Sequence, residues 1–163
     1  MQSRNWKTIG ALAAVLLGIA SAGAAEAEGG LPAEQRAGNI AYVTGGIDYG
    51  QSSVFQRARS RYPLSIELLQ RVGNRNQYTA DAQVRIVDGA GNAAFEARAE
   101  GPYMLVRLPT GSYRVEATLG GHTERSKQVN VGGQRSARVV LTFPESVDTG
   151  EPAPQPVRNG GAR

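Results

Sequence analysis

Residues 108–119, which read Leu-Pro-Thr-Gly-Ser-Tyr-Arg-Val-Glu-Ala-Thr-Leu, constrain the fold of this chain more than any other segment. Pro109 has no amide hydrogen and cannot continue a β-ladder, so we expect a strand to end at Leu108. Gly111 completes a turn. From Tyr113 onward, apolar residues alternate with polar ones, as in a half-buried antiparallel strand. Two strands joined by such a turn predict a small β-sandwich.

The first 25 residues have the layout of a cleavable secretory signal. Arg4 and Lys7 precede an apolar run at 9–20, and small residues follow up to Ala25. An apolar run of about 12 residues is too short to span a bilayer of about 30 Å. We therefore expect cleavage after Ala25, a periplasmic or secreted protein, and no membrane span in the mature chain.

The composition narrows the classes of site and partner. The chain has no cysteine, which excludes disulfides, thiolate metal sites and a cysteine nucleophile. It has 18 basic and 14 acidic residues, a net charge of +4, which falls to +2 when Arg4 and Lys7 leave with the signal. Nucleic-acid binding requires clustered basic charge, so we do not expect a nucleic-acid partner.

The mature chain divides into three parts by composition. Residues 26–39 are polar and predict a linker, and residues 40–144 predict one folded domain. The last 20 residues hold four of the eight prolines and lack apolar periodicity. We therefore expect residues 145–163 to form a disordered, Pro-rich tail.

The domain begins with an apolar run at 40–43, which we expect to be an edge strand, and with a short helix before Pro63. Ser52 or Ser53 is the expected cap of this helix, with its arginines facing solvent. Seven strands are predicted after Pro63, and they begin near Leu64, Ala82, Ala93, Tyr103, Tyr113, Thr123 and Ala137. Residues 88–92 predict a hairpin turn, and alternation places Ala93 inward and Tyr103 outward.

The sixth of these strands is irregular. Strict alternation places Arg125 and Val129 on the same face, although only Val129 suits a core. Either this end of the strand overhangs the core, with its long side chains reaching water, or a β-bulge shifts its phase.

Two motifs give the chain a family resemblance. The series Leu108-Pro109-x-Gly111-x-Tyr113-x-Val115, preceded by Val84-x-Ile86-x-Asp88-x-x-Gly91, resembles the carboxypeptidase regulatory-like domains. The resemblance implies an all-β, seven-stranded antiparallel, transthyretin-like (Ig-like) sandwich with the short helix as an N-terminal addition. It also implies that Tyr113 packs in the core, with its hydroxyl bonded to backbone near the preceding turn. Such domains are usually accessory modules, and this chain looks like the small exported stand-alone members of Gram-negative bacteria.

The sequence offers little for catalysis or metal binding. The one histidine, His122, follows two glycines in a turn, and no Gly-x-Ser-x-Gly motif occurs. The acidic residues Glu96, Glu100 and Glu116 fall on outward strand positions, where we expect cross-strand charge pairs. We therefore predict a protein that is not an enzyme and that needs no cofactor or metal.

Two binding hypotheses remain. The first is a protein-interaction or structural module of the bacterial cell envelope; the second is a carbohydrate-binding module, by analogy with starch-binding-like sandwiches. The only tryptophan, Trp6, lies in the signal, so sugar stacking would depend on tyrosines. The partner is accordingly an envelope protein or a polysaccharide. The candidate surface residues are Tyr42, Tyr49, Arg57, Arg59, Tyr78 and Tyr103.

Overall fold

The computed structural model describes residues 30–145, which form eleven strands and one α-helix. The predicted signal, residues 26–29 of the predicted linker, and residues 146–163 of the predicted tail lie outside the described residues. The strands are β1 Gln35–Ala37, β2 Ile40–Gly45, β3 Leu64–Val72, β4 Arg75–Tyr78, β5 Gln83–Asp88, β6 Ala93–Arg98, β7 Tyr103–Val106, β8 Gly111–Leu119, β9 His122–Arg125, β10 Val129–Val131 and β11 Ala137–Phe143. The helix α1 spans Tyr49–Ala58, and a 3-10 helix, Arg59–Arg61, continues it.

The strands form two sheets that pack face to face. The first sheet has the order β1-β2-β7-β3-β11, with β4 also paired to β3; the second has the order β10-β8-β5-β6, with β9 paired to β8. The predicted all-β sandwich with a short helix is therefore confirmed. The expected seven strands are wrong in number, because β1 and β4 are added, the strand expected at 40–43 joins the first sheet as β2, and the predicted sixth strand is split in two. The expected antiparallel pairing has one exception, since β11 runs parallel to β3.

The main core lies between the sheets and follows the predicted alternation. Tyr113, Val115, Ala117 and Leu119 of β8 all point into it. Its other large members are Ile40, Tyr42, Leu64, Ile66, Leu68, Val84, Ile86, Phe95, Met104, Val106, Leu108, Val131, Val139, Leu141 and Phe143. Ala93, which the alternation also placed inward, is exposed because the pairing of β5 with β6 shifts register after Ile86.

A β-bulge explains the irregular sixth strand. Arg125 pairs with Glu116, and Val129 pairs with Tyr113. Residues 126–128 therefore lie opposite only two residues of β8, Arg114 and Val115. The extra residue is a β-bulge, and after it the side chains of the strand point to the opposite faces from those that strict alternation predicts. The bulge is fixed by Ser126, whose hydroxyl accepts a hydrogen bond from the amide of Val115 at 3.0 Å.

The turn before β8 has the tyrosine arrangement that the resemblance implied. The hydroxyl of Tyr113 donates to the carbonyl oxygen of Pro109 at 3.1 Å, while the ring lies in the core. Gly111 does not have a positive φ, but a Cβ there would lie 3.1 Å from the tyrosine ring and hydroxyl, so a larger residue would have to displace Tyr113 slightly. The predicted core role of Tyr113 is therefore confirmed.

The hairpin predicted after Asp88 is also present, between β5 and β6. The Asp88 carboxylate accepts hydrogen bonds from the amides of Ala90 and Asn92, both at 2.9 Å. These contacts, of which the Asn92 amide is the strongest, lower the pKa of Asp88 below its ordinary value. Its carboxylate thus stabilises the turn itself.

The N-terminal part is more structured than the sequence indicated. Strand β1 lies within the segment expected to be a linker, and it pairs with β2 after a turn at Gly38, which adopts a φ of +61°. Because β1 covers it, β2 is an inner strand, and the expected edge strand is wrong. Helix α1 begins at Asp48 rather than at a serine, since the Asp48 carboxylate caps the amide of Gln51 at 2.7 Å. No helix within residues 30–145 is long and apolar enough to cross a membrane.

Candidate functional site

Helix α1 packs on the outer face of the first sheet and forms a second, smaller core. Phe55 and Ala58 of the helix, with Tyr62 after it, meet Val43, Tyr103 and Leu105 of β2 and β7. The rings of Phe55 and Tyr103 stack with centroids 5.8 Å apart. This outer core covers β2 and β7, whereas outward side chains of β4 and β11, such as Tyr78, Arg138 and Val140, are exposed.

Three cavities lie beside this helical segment: the first at the loop before α1, the second at α1 itself and the third at the 3-10 helix after it. We call them together the α1 groove. The first has a volume of about 240 Å³, and Ile47, Tyr78 and Asp81 contribute to its lining. The second is small and lies between Gln56 of the helix and Glu67 of β3. The third has a volume of about 400 Å³ and is lined by Arg59, Ser60, Ser65, Gln134, Arg135, Ser136 and Arg138.

The first cavity forms an aromatic end of the groove. Tyr103 accepts a hydrogen bond from the side-chain amide of Gln56 at 3.0 Å and donates one to the hydroxyl of Tyr78 at 2.7 Å. Hydrogen bonding with Tyr103, together with burial, raises the pKa of Tyr78, so its hydroxyl stays neutral. Tyr78 is 51% exposed and Ile47 is 76% exposed, which leaves apolar surface for contact at this end.

A glycine loop holds α1 close to the sheet at this end. Gly46 adopts a φ of +90°, and a Cβ there would lie 2.5 Å from the ring of Tyr103, so only glycine fits. Its amide donates to the side chain of Gln51 at 2.9 Å, and its carbonyl accepts from the hydroxyl of Ser52 at 2.6 Å. The loop and the first turn of the helix are therefore fixed to each other.

The third cavity forms an arginine end of the groove. The guanidinium of Arg138 pairs with the carboxylate of Glu67, and this hydrogen bond raises the pKa of Arg138 above its ordinary value. The hydroxyl of Ser136 lies 3.0 Å from the carbonyl oxygen of Arg59 and also contacts that of Tyr62, which joins the β10–β11 turn to the end of the helical segment. The arginine end thus combines two elements that are far apart in sequence.

The structure separates the six predicted surface residues. Tyr103 faces away from the main core, as the alternation predicts, but it is buried beneath α1 and only 5% exposed. Tyr42 is 7% exposed and packs edge-on against Phe95, with centroids 5.2 Å apart. The expectation that these two rings are exposed is wrong, because the helix covers one and the opposite sheet covers the other. Tyr49 is 98% exposed, and Arg57 is also exposed.

The groove brings together Tyr78, Tyr103 and Arg59 from the predicted set. It also includes Ile47, Gln56, Arg135 and Arg138, which the sequence analysis missed. The outward position of Arg138 in β11 follows from alternation, but its approach to Arg59 depends on how the helix packs. That packing leaves no periodic signal in the sequence.

The remaining candidate residues, His122 and the glutamates of the strands, form contacts on the protein surface. His122 lies 2.9 Å from the carboxylate of Glu124, and no group of three metal-ligating side chains occurs among residues 30–145. Arg85 pairs with Glu96 and Glu116 on the outer face of the second sheet, and Arg125 pairs with Glu116 as well. The predicted cross-strand pairing is therefore confirmed for Glu96 and Glu116, whose partners are Arg85 and Arg125. It is wrong for Glu100, which has no ion pair within residues 30–145 and accepts a hydrogen bond from the side-chain amide of Gln35 at 3.4 Å.

Comparisons with known proteins add little to this geometry. No family model and no curated protein matches the chain. Among solved structures, the crystal structure of GBS52, the minor pilin in the gram-positive pathogen Streptococcus agalactiae, is similar over 50% of this chain and 42% of that chain, with 13% sequence identity and a TM-score of 0.36. The match spans less than half of the pilin chain, and a likeness of this extent does not transfer a function.

Proposed function

We propose that this chain is a non-catalytic, exported β-sandwich module of the bacterial cell envelope, which binds a protein partner through the α1 groove. The observation that carries the proposal is the position of α1. The helix covers β2 and β7 on the outer face of the first sheet, and the α1 groove beside it has apolar surface at one end and arginines at the other.

The groove suits protein recognition because its base is rigid. Phe55 and Ala58 are fully buried, Asp48 caps the helix, and Tyr103 is hydrogen-bonded on both sides. A surface that is ordered before binding loses little conformational entropy on association. Tyrosine and arginine are also enriched among the residues that contribute most to binding energy at protein interfaces.

The remaining parts of the proposal rest on the sequence. The layout of residues 1–25 supports export, and the motifs around Tyr113 support membership of the carboxypeptidase regulatory-like family, whose domains are usually accessory modules. The non-catalytic assignment follows from a chain with a single histidine and no cysteine. In this proposal, residues 145–163 remain a Pro-rich tail after the domain.

The positions of the four candidate tyrosines in the structure favour a protein partner over a polysaccharide. Tyr42 and Tyr103 are buried, and Tyr49 projects from the start of the helix. Among the four, Tyr78 alone combines an exposed ring with a cavity. One half-exposed ring whose hydroxyl is already bonded offers a limited platform for stacking on sugars.

The proposal is tested by photo-crosslinking in intact envelopes. A photoreactive residue replaces Arg59, which lines the arginine end of the groove, or Tyr49, which is exposed two residues after Ile47 of the aromatic end. A matched probe replaces Arg114, which is exposed on the outer face of the second sheet. We expect a discrete protein adduct from the two groove positions and none from Arg114. Equal labelling at all three positions, or retention on envelope polysaccharide without a protein adduct, would contradict the proposal.

A further inference from the structure

We infer that the arginine end of the α1 groove is an oxyanion-binding pocket, and that the partner docks an acidic peptide segment there. This inference rests on the proposed function for the identity of the partner, but the pocket itself rests only on the residues that line it. Those residues come from the end of the helical segment, from the β10–β11 turn and from the first sheet.

The charge of the pocket is positive and incompletely compensated. Arg138 is paired with Glu67, but among residues 30–145 no ion pair involves Arg59 or Arg135. Both side chains are exposed at the rim of the same cavity. Guanidinium groups present a planar fork of donors that matches the two oxygens of a carboxylate. Two unpaired forks at one cavity are therefore suited to an acidic ligand.

Polar groups beside the arginines complete the donor set. The side-chain amide of Gln134 and the hydroxyl of Ser60 line the same cavity. Both are exposed, and each adds a neutral donor to the charged ones. The pocket can thus hold an oxyanion through several hydrogen bonds rather than through charge alone.

One local effect opposes an anion here. The C-terminal end of a helix carries a partial negative charge, which disfavours a second negative group. In this structure Ser136 contacts the carbonyl oxygens of Arg59 and Tyr62, so these two groups have a partner. The full charges of Arg59 and Arg135 outweigh the remaining partial charge.

The distance between the two ends of the groove favours a peptide over a small anion. Helix α1 has ten residues and is about 15 Å long. An extended peptide covers this distance with about five residues. A segment with an apolar residue and a carboxylate about five positions apart would contact both ends, whereas a free phosphate or a lipid headgroup would use the arginine end alone.

The pocket is tested by NMR titration of the purified protein with hexaglutamate, with hexaglutamine as the neutral peptide. We expect hexaglutamate to shift the amide signals of Arg59, Ser60 and Gln134, and hexaglutamine to leave them unchanged. The double variant R59Q/R135Q should weaken hexaglutamate binding about fivefold or more, as for the loss of two exposed charge contacts. R59K/R135K, which keeps the charges, should recover part of the affinity, and the control R114Q should bind like the wild type.

Several results would overturn the inference. One is the absence of shifts at the pocket with hexaglutamate, and another is equal binding by wild type and R59Q/R135Q. Shifts with inorganic phosphate or with phosphatidylglycerol vesicles, but not with hexaglutamate, would replace the acidic peptide by a free phosphate or a lipid surface. All the variants change exposed residues, so melting temperatures close to that of the wild type are expected and are measured first.

The same reagents separate this inference from the proposed function. If Tyr49 crosslinks a protein and the adduct persists in R59Q/R135Q, the binding module stands and the acidic docking is wrong. If hexaglutamate binds at the pocket and no groove position crosslinks a protein, the pocket stands and the proposed function is wrong.

Discussion

The two cores of this protein differ in composition and in what they support. The core between the sheets is built mainly from aliphatic side chains of both sheets. The outer core beneath α1 has six buried members, and three of them are the aromatic residues Phe55, Tyr62 and Tyr103. Tyr62 and Tyr103 also extend their hydroxyls to polar partners, Glu34 and Tyr78 respectively.

The difference shows that fold and binding surface depend on separate sets of contacts. Alternating aliphatic residues need only bury area to hold two sheets together. The aromatic residues of the outer core also bury apolar area. In addition, the hydrogen bonds of the two tyrosines hold the helix and the groove in one orientation on the sheet. We therefore expect substitutions in the first core to unfold the protein, and substitutions in the outer core to change α1 while leaving the sandwich intact.

The largest effect is expected from Tyr113→Ala in the main core. The change removes a buried ring and its hydrogen bond to Pro109, so it should lower the free energy of unfolding by about 3–5 kcal/mol. Urea denaturation measures the loss. Tyr113→Phe keeps the ring and should cost about 1 kcal/mol. A melting temperature near that of the wild type for Tyr113→Ala would show that the two cores do not differ in this way.

A smaller global effect is expected from Phe55→Ala in the outer core, although Phe55 is also fully buried. The free energy of unfolding should fall by about 2–3 kcal/mol, because the loss stops growing once α1 has left the sheet. Hydrogen exchange should accelerate in α1 but not in β8. Equal acceleration in both elements would mean that the two cores unfold together.

The substitution Asp48→Ala tests the hydrogen bond that caps the N-terminus of α1. Loss of the hydrogen bond from the Gln51 amide should cost about 1 kcal/mol of helix stability. The expected readout is faster exchange of that amide, with little change in the melting temperature. Asp48→Asn retains a capping oxygen and serves as the matched control, and an identical loss in both variants would exclude capping as the cause.

The smallest effect is expected from Glu34→Gln, and it depends on pH. Glu34 accepts hydrogen bonds from Arg107 at 2.7 Å and from Tyr62 at 2.9 Å, and these lower its pKa below the ordinary value of 4.5. A lowered pKa stabilises the folded state above pH 4.5, and this contribution is lost as the pH falls through the folded-state pKa. Denaturation midpoints of wild type and variant should therefore differ at pH 7 and converge in acid. If the two midpoints still differ by the same amount in acid, ionisation of Glu34 is not the cause of the difference.

The residues of the main core could be predicted from the sequence because they recur at every second position of each strand. Every second residue of β8 and β11 points inward, and Pro109 and Asp88 mark turns where the structure has them. The bulge near Ser126 was one of two alternatives, since Arg125 and Val129 conflict under strict alternation. In these places the local chemistry and the tertiary fold agree.

The outer core and the groove were less accessible to sequence reasoning. Tyr103 lies on the outer face of the first sheet, as alternation predicts. Its hydrogen bond with Gln56, 47 residues earlier in the chain, shows that α1 covers it. Nothing in the sequence near Tyr103 indicates this contact. Strands β1 and β4 are short and polar, and pairing rather than periodicity defines them. The arginine end likewise depends on the docking of the β10–β11 turn, which brings Ser136 to a carbonyl 77 residues earlier in the chain.

The parallel pairing of β11 with β3 has a consequence for the order of folding. Ser65 and Ala137, which are joined across this pair by a hydrogen bond from the Ser65 hydroxyl to the Ala137 carbonyl oxygen, are 72 residues apart. Contacts of such long range slow folding, because the chain must close a large loop before the contact stabilises anything. The first sheet therefore cannot be completed until β11, the last strand among the described residues, is available. A nascent chain that ends before β11 therefore cannot complete the first sheet.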